Sequence, residues 1–304
     1  MAKQPKAITS RALVRRETIH GYLFMLPSLV FFIGFVIIPM VICVINSLTD
    51  ANMYTQGLGH FVGLKNFIDL WQDKTFLEAL KNTFIIVVVS VPAVTVFSLW
   101  VSSAIYKMKG PLLSAFRCIF YLPVVTGSVA VTVVWKWMYD NYNGIFNIVL
   151  KSTGITDQNI NWLGDTRFAL WCIILILFTT SVGQPIVLYV SALGNVDTTL
   201  IEAAKVDGAT DLQVFWKIKW PQMMPTTLYI LVITTINSFQ CFALIQLLTS
   251  GGSGTNTVMY YIYYTAFKLT EQNGHFGYAN AMGVVLAIFI AILSALQFKL
   301  AKEK

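Results

Sequence analysis

Long apolar runs separated by polar connections dominate this chain of 304 residues. Each run is long enough to cross a hydrocarbon core of about 30 Å, which takes about 20 helical residues. A membrane β-barrel would instead show alternating segments of ~10 residues. The pattern therefore predicts an all-α membrane protein with about six transmembrane helices. The predicted spans are residues 22–48, 84–106, 115–138, 168–192, 226–248 and 279–298.

The composition agrees with this class: 56% of the residues are hydrophobic and 12% are charged, whereas about a quarter of a soluble domain is charged. The net charge of +7 matters through its sidedness, because basic residues concentrate on the cytoplasmic side of membrane proteins. If the N-terminus is cytoplasmic, 14 of the 21 Lys and Arg residues lie inside. We therefore expect contact with membrane lipid, cytoplasmic termini and no nucleic-acid partner. The predicted parts are a basic tail (1–21), a permease domain (22–298) and a C-terminal tail (299–304).

Several function classes are disfavoured by what the chain lacks. The predicted spans contain no Asp or Glu, whereas proton- or sodium-coupled carriers need ionisable groups within the membrane. No G-x-x-x-x-G-K-[ST] sequence is present, so energy from ATP would have to come from another subunit. The four cysteines show neither disulfide nor metal-site spacing. We expect no metal, no bound cofactor and no catalytic residue in this chain.

Three connections predicted to face outward, at 49–83, 139–167 and 249–278, are much longer than the inner connection at 107–114. Their edges are rich in Trp and Tyr, which suit either an interfacial aromatic belt or contact with an extracytoplasmic partner. The glycine cluster at 251–254 predicts a flexible outer loop. Both readings of the aromatic residues stay open.

The inner segment 193–225 reads LGNVDTTLIEAAKVDGATDLQVFWKIKWPQMMP and carries signals for a short helix. Asp197 suits the N-cap, and Glu202 lies in the first turns, where the helix dipole favours an anion. The helix should run to about Val206. Gly208 can then adopt the left-handed conformation that ends a helix.

A second short helix is expected directly afterwards. Thr210 or Asp211 can cap it, Lys217 and Lys219 suit its C-terminus, and Pro221 should stop it. Helices this short depend on packing. The segment is therefore expected either to dock into a groove on another subunit or to pack against its own bundle.

The segment also resembles a known family, the membrane subunits of binding-protein-dependent ATP-binding-cassette importers. Their loop has the form EAA, three residues, G, nine residues, I, one or two residues, LP. Trp220 stands where the family usually has leucine, and Asp197 stands where a proline often opens the helix. The residues that the resemblance assigns to ATPase docking are Glu202, Ala203, Ala204, Asp207, Gly208, Ile218 and Pro221.

In this family the glutamate enters the cleft of the ATPase subunit, where basic groups can donate charge-assisted hydrogen bonds to it. Rigid-body rocking then couples ATPase closure to the spans. The alternative for Glu202 is a pair with Lys205 on the same helix, which is worth a few tenths of a kcal/mol.

The resemblance covers most of the chain and extends to the carbohydrate branch, of the maltose and glycerol-3-phosphate permease type. The stretches that match are GLKNF (63–67), KNT (81–83), RCIFYLP (117–123), GQP (183–185), FALIQLLTSGG (242–252) and FGYANAM (276–282). It implies a type I importer fold in a bacterial cell membrane. It also implies a second, homologous permease, two cytoplasmic ATPases that use ATP and Mg, and an extracytoplasmic sugar-binding protein.

A polar stripe in the fifth span is the candidate substrate path. Thr234, Asn237, Ser238 and Cys241 follow one another at i, i+3, i+4 and i+7, which predicts one helix face. Thr179, Gly183 and Gln184 resemble positions that line the sugar site in maltose-type permeases. Such residues also serve helix–helix contacts, and the partner permease could hold the whole site.

Other cargo and other classes stay open at this point. A polyol, a glycerol phosphate or an amino acid would keep the importer assignment, although the uncharged stripe disfavours ionic cargo. A multi-span membrane enzyme would need convergent catalytic groups, which the isolated histidines do not offer. A passive pore would leave the capped segment 193–225 unexplained.

Overall fold

The computed structural model describes residues 11–52, 54–55, 59–108, 110–267 and 275–302. Within them the chain is helical, without strands and with two isolated β-bridges. Residues 1–10 of the predicted basic tail and 303–304 of the C-terminal tail lie outside the described residues. In chain order the elements are α1 Arg11–Phe32, a π-helical segment Ile33–Ile37, α2 Ile38–Ser47, α3 Lys65–Leu70, α4 Lys74–Ile105, α5 Pro111–Thr126, α6 Ser128–Met138, α7 Ile145–Ser152, α8 Ala169–Ser181, α9 Gly183–Gly194, α10 Thr198–Val206, α11 Asp211–Val214, a second π-helical segment Phe215–Lys219, α12 Trp220–Phe239, α13 Ala243–Leu248, α14 Val258–Phe267 and α15 Phe276–Lys302.

The predicted spans correspond to helices of two kinds. In the described part of the chain, four stretches are long and apolar enough to cross a membrane without a sharp bend, namely Glu17–Ser47, Lys74–Ile105, Asp211–Leu248 and Phe276–Leu300. Two bent pairs, α5 with α6 and α8 with α9, bring the number of spans to six if each pair crosses once. The all-α class is confirmed, and the six apolar runs are all helical.

The third predicted span, 115–138, is not one straight helix as expected. Its two halves meet at 97°, and Gly127 between them has φ +83°, a conformation that side chains rarely adopt. The fourth span bends by 40° between Ser181 and Gly183. The fifth stops at Phe239 and resumes as α13. A hydropathy pattern does not register such breaks, because the flanking residues remain apolar.

The second span begins earlier than its apolar run does. Asp73 accepts hydrogen bonds from the backbone N–H groups of Thr75 (2.8 Å) and Phe76 (3.3 Å), so α4 starts at Lys74, ten residues before the predicted boundary of 84. The other carboxylate oxygen of Asp73 accepts hydrogen bonds from the hydroxyls of Tyr261 (2.8 Å) and Tyr278 (3.0 Å). This carboxylate therefore ties α4 to α14 and α15.

Helix α4 lies at the centre of the bundle and packs against α9 and α12. Ser98 and Ser102 on α4 are fully buried, and the hydroxyl of Ser102 donates to the carbonyl oxygens of Ser98 (2.6 Å) and Ile186 (3.1 Å). Small hydroxyl residues let two helix backbones approach closely in a membrane bundle. They hold α9, and with it the segment that follows, against α4.

The side chains of the first span are almost all exposed in this chain. The most apolar window of Glu17–Ser47 has no buried residue, and Phe24 and Phe35 are 89% and 76% exposed. Its second half, α2, packs on α15. Most of the large apolar side chains of this span are exposed.

The glycine-rich turn 251–254, which was predicted to be a flexible loop, makes specific contacts in the structure. The side-chain amide of Asn82 donates to the carbonyl oxygens of Gly254 and Asn256, both at 2.9 Å. A Cβ on Gly251, whose φ is +73°, would collide with the ring of Tyr260. The glycines here serve close packing and left-handed backbone geometry.

Candidate functional site

The segment 193–225, here named the connecting segment, begins with the predicted helix. The Asp197 carboxylate accepts hydrogen bonds from the backbone N–H of Thr199 (2.9 Å) and from its hydroxyl (2.7 Å). These bonds hold the pKa of Asp197 below its usual value, so the cap is ionised at neutral pH. Helix α10 ends at Val206, and Gly208 follows with φ +81°. The N-cap, the length and the glycine stop are all confirmed.

The second helix starts as expected but does not stop where it should. Thr210 and Gln213 form a reciprocal capping box. The helix then passes through the π-helical segment Phe215–Lys219 and continues as α12, with Pro221 in the first turn of α12. The prediction that Pro221 ends a short helix was wrong. Pro221 comes just after the π-helical segment Phe215–Lys219, where the hydrogen-bond pattern of the helix is already irregular, so its missing N–H does not end the helix.

The outer face of α10 and α11 combines acidic and apolar side chains without cover. Glu202, Ala203, Asp207 and Gly208 are exposed, whereas Ala204 is half-buried. Around them lie exposed large apolar residues, and Val206 is 88% exposed. Sequence reasoning singled out the motif residues and missed these apolar neighbours, which are Leu200, Val206, Leu212 and Trp216.

The alternative partner for Glu202 is not used. The ammonium of Lys205 lies 3.3 Å from the Asp211 carboxylate of the next helix, which joins α10 to α11 across the glycine turn. Glu202 forms no ion pair within the described residues. The geometry leaves the Glu202 carboxylate available to a partner. Further along, Ile218 is half-buried and Pro221 is exposed.

The candidate substrate-path residues do not line one common cavity. Thr234 and Ser238 are buried within the bundle, and Asn237 is exposed. Cys241 lies beyond the end of α12 at Phe239, so the predicted four-residue stripe on one helix was wrong. The i+7 position falls in the break before α13, where helical periodicity no longer applies.

Cys241 lines a cavity of about 290 Å³ at which the three interrupted spans meet. Ser128 comes from beside the first break, Thr180 from beside the second, and Gln240 from the third. Interrupted helices expose backbone groups, which is tolerated in a membrane where they line a cavity. The neighbouring Thr179 is half-buried, and its hydroxyl donates to the Ile176 carbonyl oxygen at 2.8 Å.

Gln184 lines a different and larger cavity, of about 570 Å³, between α5 and α9. Arg117 and Tyr121 line it as well, and the Nε of Arg117 is buried with no hydrogen-bond partner in the described part of the chain. Gly183 instead provides helix contact, because a Cβ there would collide with the Phe120 carbonyl oxygen of α5. The sequence analysis gave Arg117 no role in the candidate substrate path, and its place beside Gln184 was missed.

A match to a protein family decides the identity. Residues 72–303 match the family described as the binding-protein-dependent transport system inner membrane component. The chain belongs to this family. It is thus a multi-pass inner-membrane transport subunit, as the resemblance implied. Among the described residues, no group of His, Cys, Asp or Glu has the arrangement of a metal site.

Relatives in this family match over nearly their whole length. The probable ABC transporter permease protein YesP of Bacillus subtilis (strain 168) is 32% identical, over 94% of this chain and 91% of the relative. The lactose transport system permease protein LacF of Rhizobium radiobacter is 31% identical, over 98% and 99%. The fold is similar to that in the crystal structure of a bacterial ABC transporter involved in the import of the acidic polysaccharide alginate. That comparison has a TM-score of 0.78 at 22% identity and covers 95% of this chain and 97% of the other.

Proposed function

We propose that this chain is a permease subunit of an ATP-driven importer and that it moves a sugar or oligosaccharide by alternating access. The connecting segment docks separate ATPase subunits, which bind ATP and Mg and supply the energy. The observation that carries the proposal is the uncovered outer face of α10, where the Glu202 carboxylate stands beside the exposed Val206. A helix of nine residues depends on packing for its stability, and an exposed face with acidic and apolar side chains suits a groove on another subunit.

The proposed orientation places the connecting segment and both termini in the cytoplasm. Support comes from the excess of Lys and Arg residues in the segments predicted to lie on the same side of the membrane as the connecting segment. The ends of α4 and α9 lie beside the connecting segment, where they line one pocket with it. The long connections at the other end, including the turn held by Asn82, then face the extracytoplasmic solute-binding protein that gives the family its description.

The proposed cargo class rests on relatives and on lining chemistry. LacF is described as a lactose transport permease, and neutral saccharides are bound through hydroxyl, amide and aromatic groups. The cavity where the interrupted spans meet offers Thr180 and Gln240. Gln184 and Tyr121 line the second cavity.

A second permease subunit is expected against the uncovered surfaces. Most large apolar side chains of α1 and α2 are exposed, although α2 packs on α15, and α5 has no buried residue. In lipid such faces are stable, but α5 also carries Arg117 and lines an open cavity. A homologous permease packed against α5 would close the open side of the candidate substrate path.

Replacing Glu202 by Ala tests the docking role. We expect normal membrane insertion but at least about tenfold lower uptake of radiolabelled sugar and lower binding-protein-stimulated ATP hydrolysis, because charge-assisted bonds to a docked subunit are lost. Both would be measured in vesicles that carry the permeases, the ATPases and the binding protein. Gly208→Asp should behave likewise, because it strains the turn that sets the angle of α10.

Glu78→Ala is the matched control, since Glu78 is also exposed but lies near the start of α4, away from the connecting segment. The control should retain wild-type uptake. If Glu202→Ala and Gly208→Asp transport as well as the control does, the connecting segment does not couple ATP hydrolysis to transport.

A further inference from the structure

A pocket of about 470 Å³ lies behind the connecting segment, between α10 and the ends of α4 and α9. Its floor is apolar, with Leu193, Val196 and Val214 nearly fully buried. Its rim carries three lysines from three separate elements, Lys107 after α4, Lys205 on α10 and Lys219 before α12. The pocket is therefore basic, and the described chain closes it on several sides.

The three ammonium groups differ in whether a carboxylate neutralises their positive charge. Asp211 is the single carboxylate among the lining residues, and it pairs with Lys205 at 3.3 Å. The ammonium of Lys219 donates to the Tyr106 hydroxyl at 2.6 Å and lies 4.8 Å from the centre of the Tyr106 ring. Lys107 lies 5.9 Å from the same ring centre. Neither Lys107 nor Lys219 has a carboxylate partner within the described residues.

The position of Lys219 makes it a ready hydrogen-bond donor. An ammonium group has three N–H donors, and the Tyr106 hydroxyl uses one of them. The Tyr106 ring and hydroxyl hold the Lys219 ammonium at the pocket, and its other donors remain available to a ligand. Lys107 and Lys219 line one pocket without a carboxylate partner among the described residues, which favours an anion with several acceptor oxygens.

We propose that this pocket binds a phosphate group, contributed either by an anionic phospholipid head group or by a soluble phosphate. A soluble phosphate carries up to two negative charges and a lipid phosphodiester carries one, and the acceptor oxygens of both suit Lys107 and Lys219 together with the hydroxyl of Thr198. The bound anion would bridge the ends of the spans to α10. Binding does not depend on the docking role proposed above. Only the effect of a bound phosphate on the coupling of ATP hydrolysis to transport rests on the docking role.

The pocket and the docking face lie on different sides of α10. Thr198, Ile201 and Lys205 line the pocket and follow one another at i, i+3 and i+7, on one helix face. The exposed Glu202 and Val206 lie on the neighbouring face. An anion in the pocket therefore leaves the docking face free and can hold α10 in one position while an ATPase is bound.

Binding can be measured on the full chain alone, purified in detergent. One arm measures radiolabelled inorganic phosphate by equilibrium dialysis. The other arm reconstitutes the chain into phosphatidylcholine vesicles with or without phosphatidylglycerol and counts the retained phosphatidylglycerol by native mass spectrometry. We expect wild-type protein to bind in at least one arm, and the arm that shows binding identifies the source of the phosphate group. Added salt should weaken the binding by screening.

Lys219→Gln should weaken that binding about tenfold, because one charge-assisted hydrogen bond and one positive charge are lost. The matched control is Lys217→Gln, which removes the same charge from the same π-helical segment. Lys217 is exposed and does not line the pocket, so this control should bind like wild type. Lys219→Arg, which keeps the charge, should retain most of the affinity.

A gel-filtration profile and a melting curve for each variant separate lost binding from lost folding. The proposal is overturned if wild-type protein binds in neither arm, or if well-folded Lys219→Gln and Lys217→Gln bind equally. Because no ATPase is present in either arm, failure here leaves the docking role standing.

Discussion

Single polar side chains fix the loops at the end of the bundle away from the connecting segment. Asn147 is buried, and its side-chain amide donates to the carbonyl oxygens of Asn141 (3.1 Å) and Ile160 (3.0 Å). Its amide oxygen accepts from the indole of Trp162 at 3.1 Å. A satisfied buried amide of this kind sets one loop conformation, because an unpaired polar group in its place costs free energy. The connection between α6 and α8 is therefore held in place by a few residues.

Asp73 is the residue at this end whose removal should cost most. Burial raises its pKa, but the hydrogen bonds from Tyr261, Tyr278 and two backbone N–H groups outweigh burial, so the pKa lies below the usual value of 3.8. Asp73→Ala removes a helix cap and leaves two tyrosine hydroxyls without their acceptor. We expect the free energy of unfolding to fall by about 2 kcal/mol at pH 7, measured by denaturation in detergent. The control, Asp157→Ala, changes an exposed loop carboxylate and should be neutral.

The same pair of variants has a pH signature. Because the pKa of Asp73 is lower in the folded state, its stabilising contribution is complete above the usual carboxyl pKa and is lost as the pH falls through the folded value. The stability gap between wild type and Asp73→Ala should therefore narrow below about pH 4. A gap that is constant down to pH 3 would contradict this role for the carboxylate.

Residue-scale features differ in how far the sequence predicts them. The caps at Asp197 and Thr210 were predictable, because a cap and its helix are adjacent in the chain. The partners of Asp73 were not, since Tyr261 and Tyr278 lie 188 and 205 residues away. Likewise, the position of Lys219 in the pocket depends on Tyr106, and no local sequence pattern links these two residues.

Interrupted helices are the main feature at the scale of elements. Apolar runs predicted where the chain crosses the membrane, but not the 97° bend at Gly127, the 40° bend at Val182 or the break after Phe239. Hydropathy averages over side chains and carries no information on backbone dihedral angles. The breaks meet at one cavity, so the least predictable parts of the spans form part of the candidate path.

Close approach of α5 and α9 is needed to hold two of these broken spans together. Gly183 permits it, because a Cβ there would collide with the Phe120 carbonyl oxygen and come within 3.0 Å of a Val124 methyl group. Gly183→Ala should therefore destabilise the protein by about 1–3 kcal/mol, the usual range for overpacking. The measurement is a melting curve of the purified chain in detergent.

Gly194→Ala is the matched control on the same helix, since a Cβ at Gly194 meets nothing within 4 Å. It should be neutral or slightly stabilising, as alanine is the better helix former. If Gly183→Ala melts no earlier than this control, Gly183 is not a packing glycine.

At the scale of the whole molecule, the uncovered surfaces suit the proposed assembly with other subunits. The all-α class and the family were predictable from apolar runs and from several dispersed motifs. The uncovered first span was not predictable, because hydropathy does not separate a helix that faces lipid from one that faces a partner. Its exposed apolar surface and the open cavity beside α5 support a second permease, and the outer face of α10 supports a docked ATPase.

Docking of ATPases on the connecting segment is central to the proposed function. A substitution at Val206 tests this docking most directly. Val206 is 88% exposed, so Val206→Glu should leave the fold of this chain intact while placing an extra charge in the proposed interface. The control, Ile155→Glu, changes a residue that is 72% exposed in the connection between α7 and α8. The measurement is the amount of ATPase that co-purifies with the tagged permease from detergent-solubilised membranes.

We expect Val206→Glu to retain about tenfold less ATPase than wild type, since a desolvated charge at the centre of an interface weakens it strongly. Ile155→Glu should retain the wild-type amount. Equal retention of ATPase by the two variants would contradict the docking role of the connecting segment.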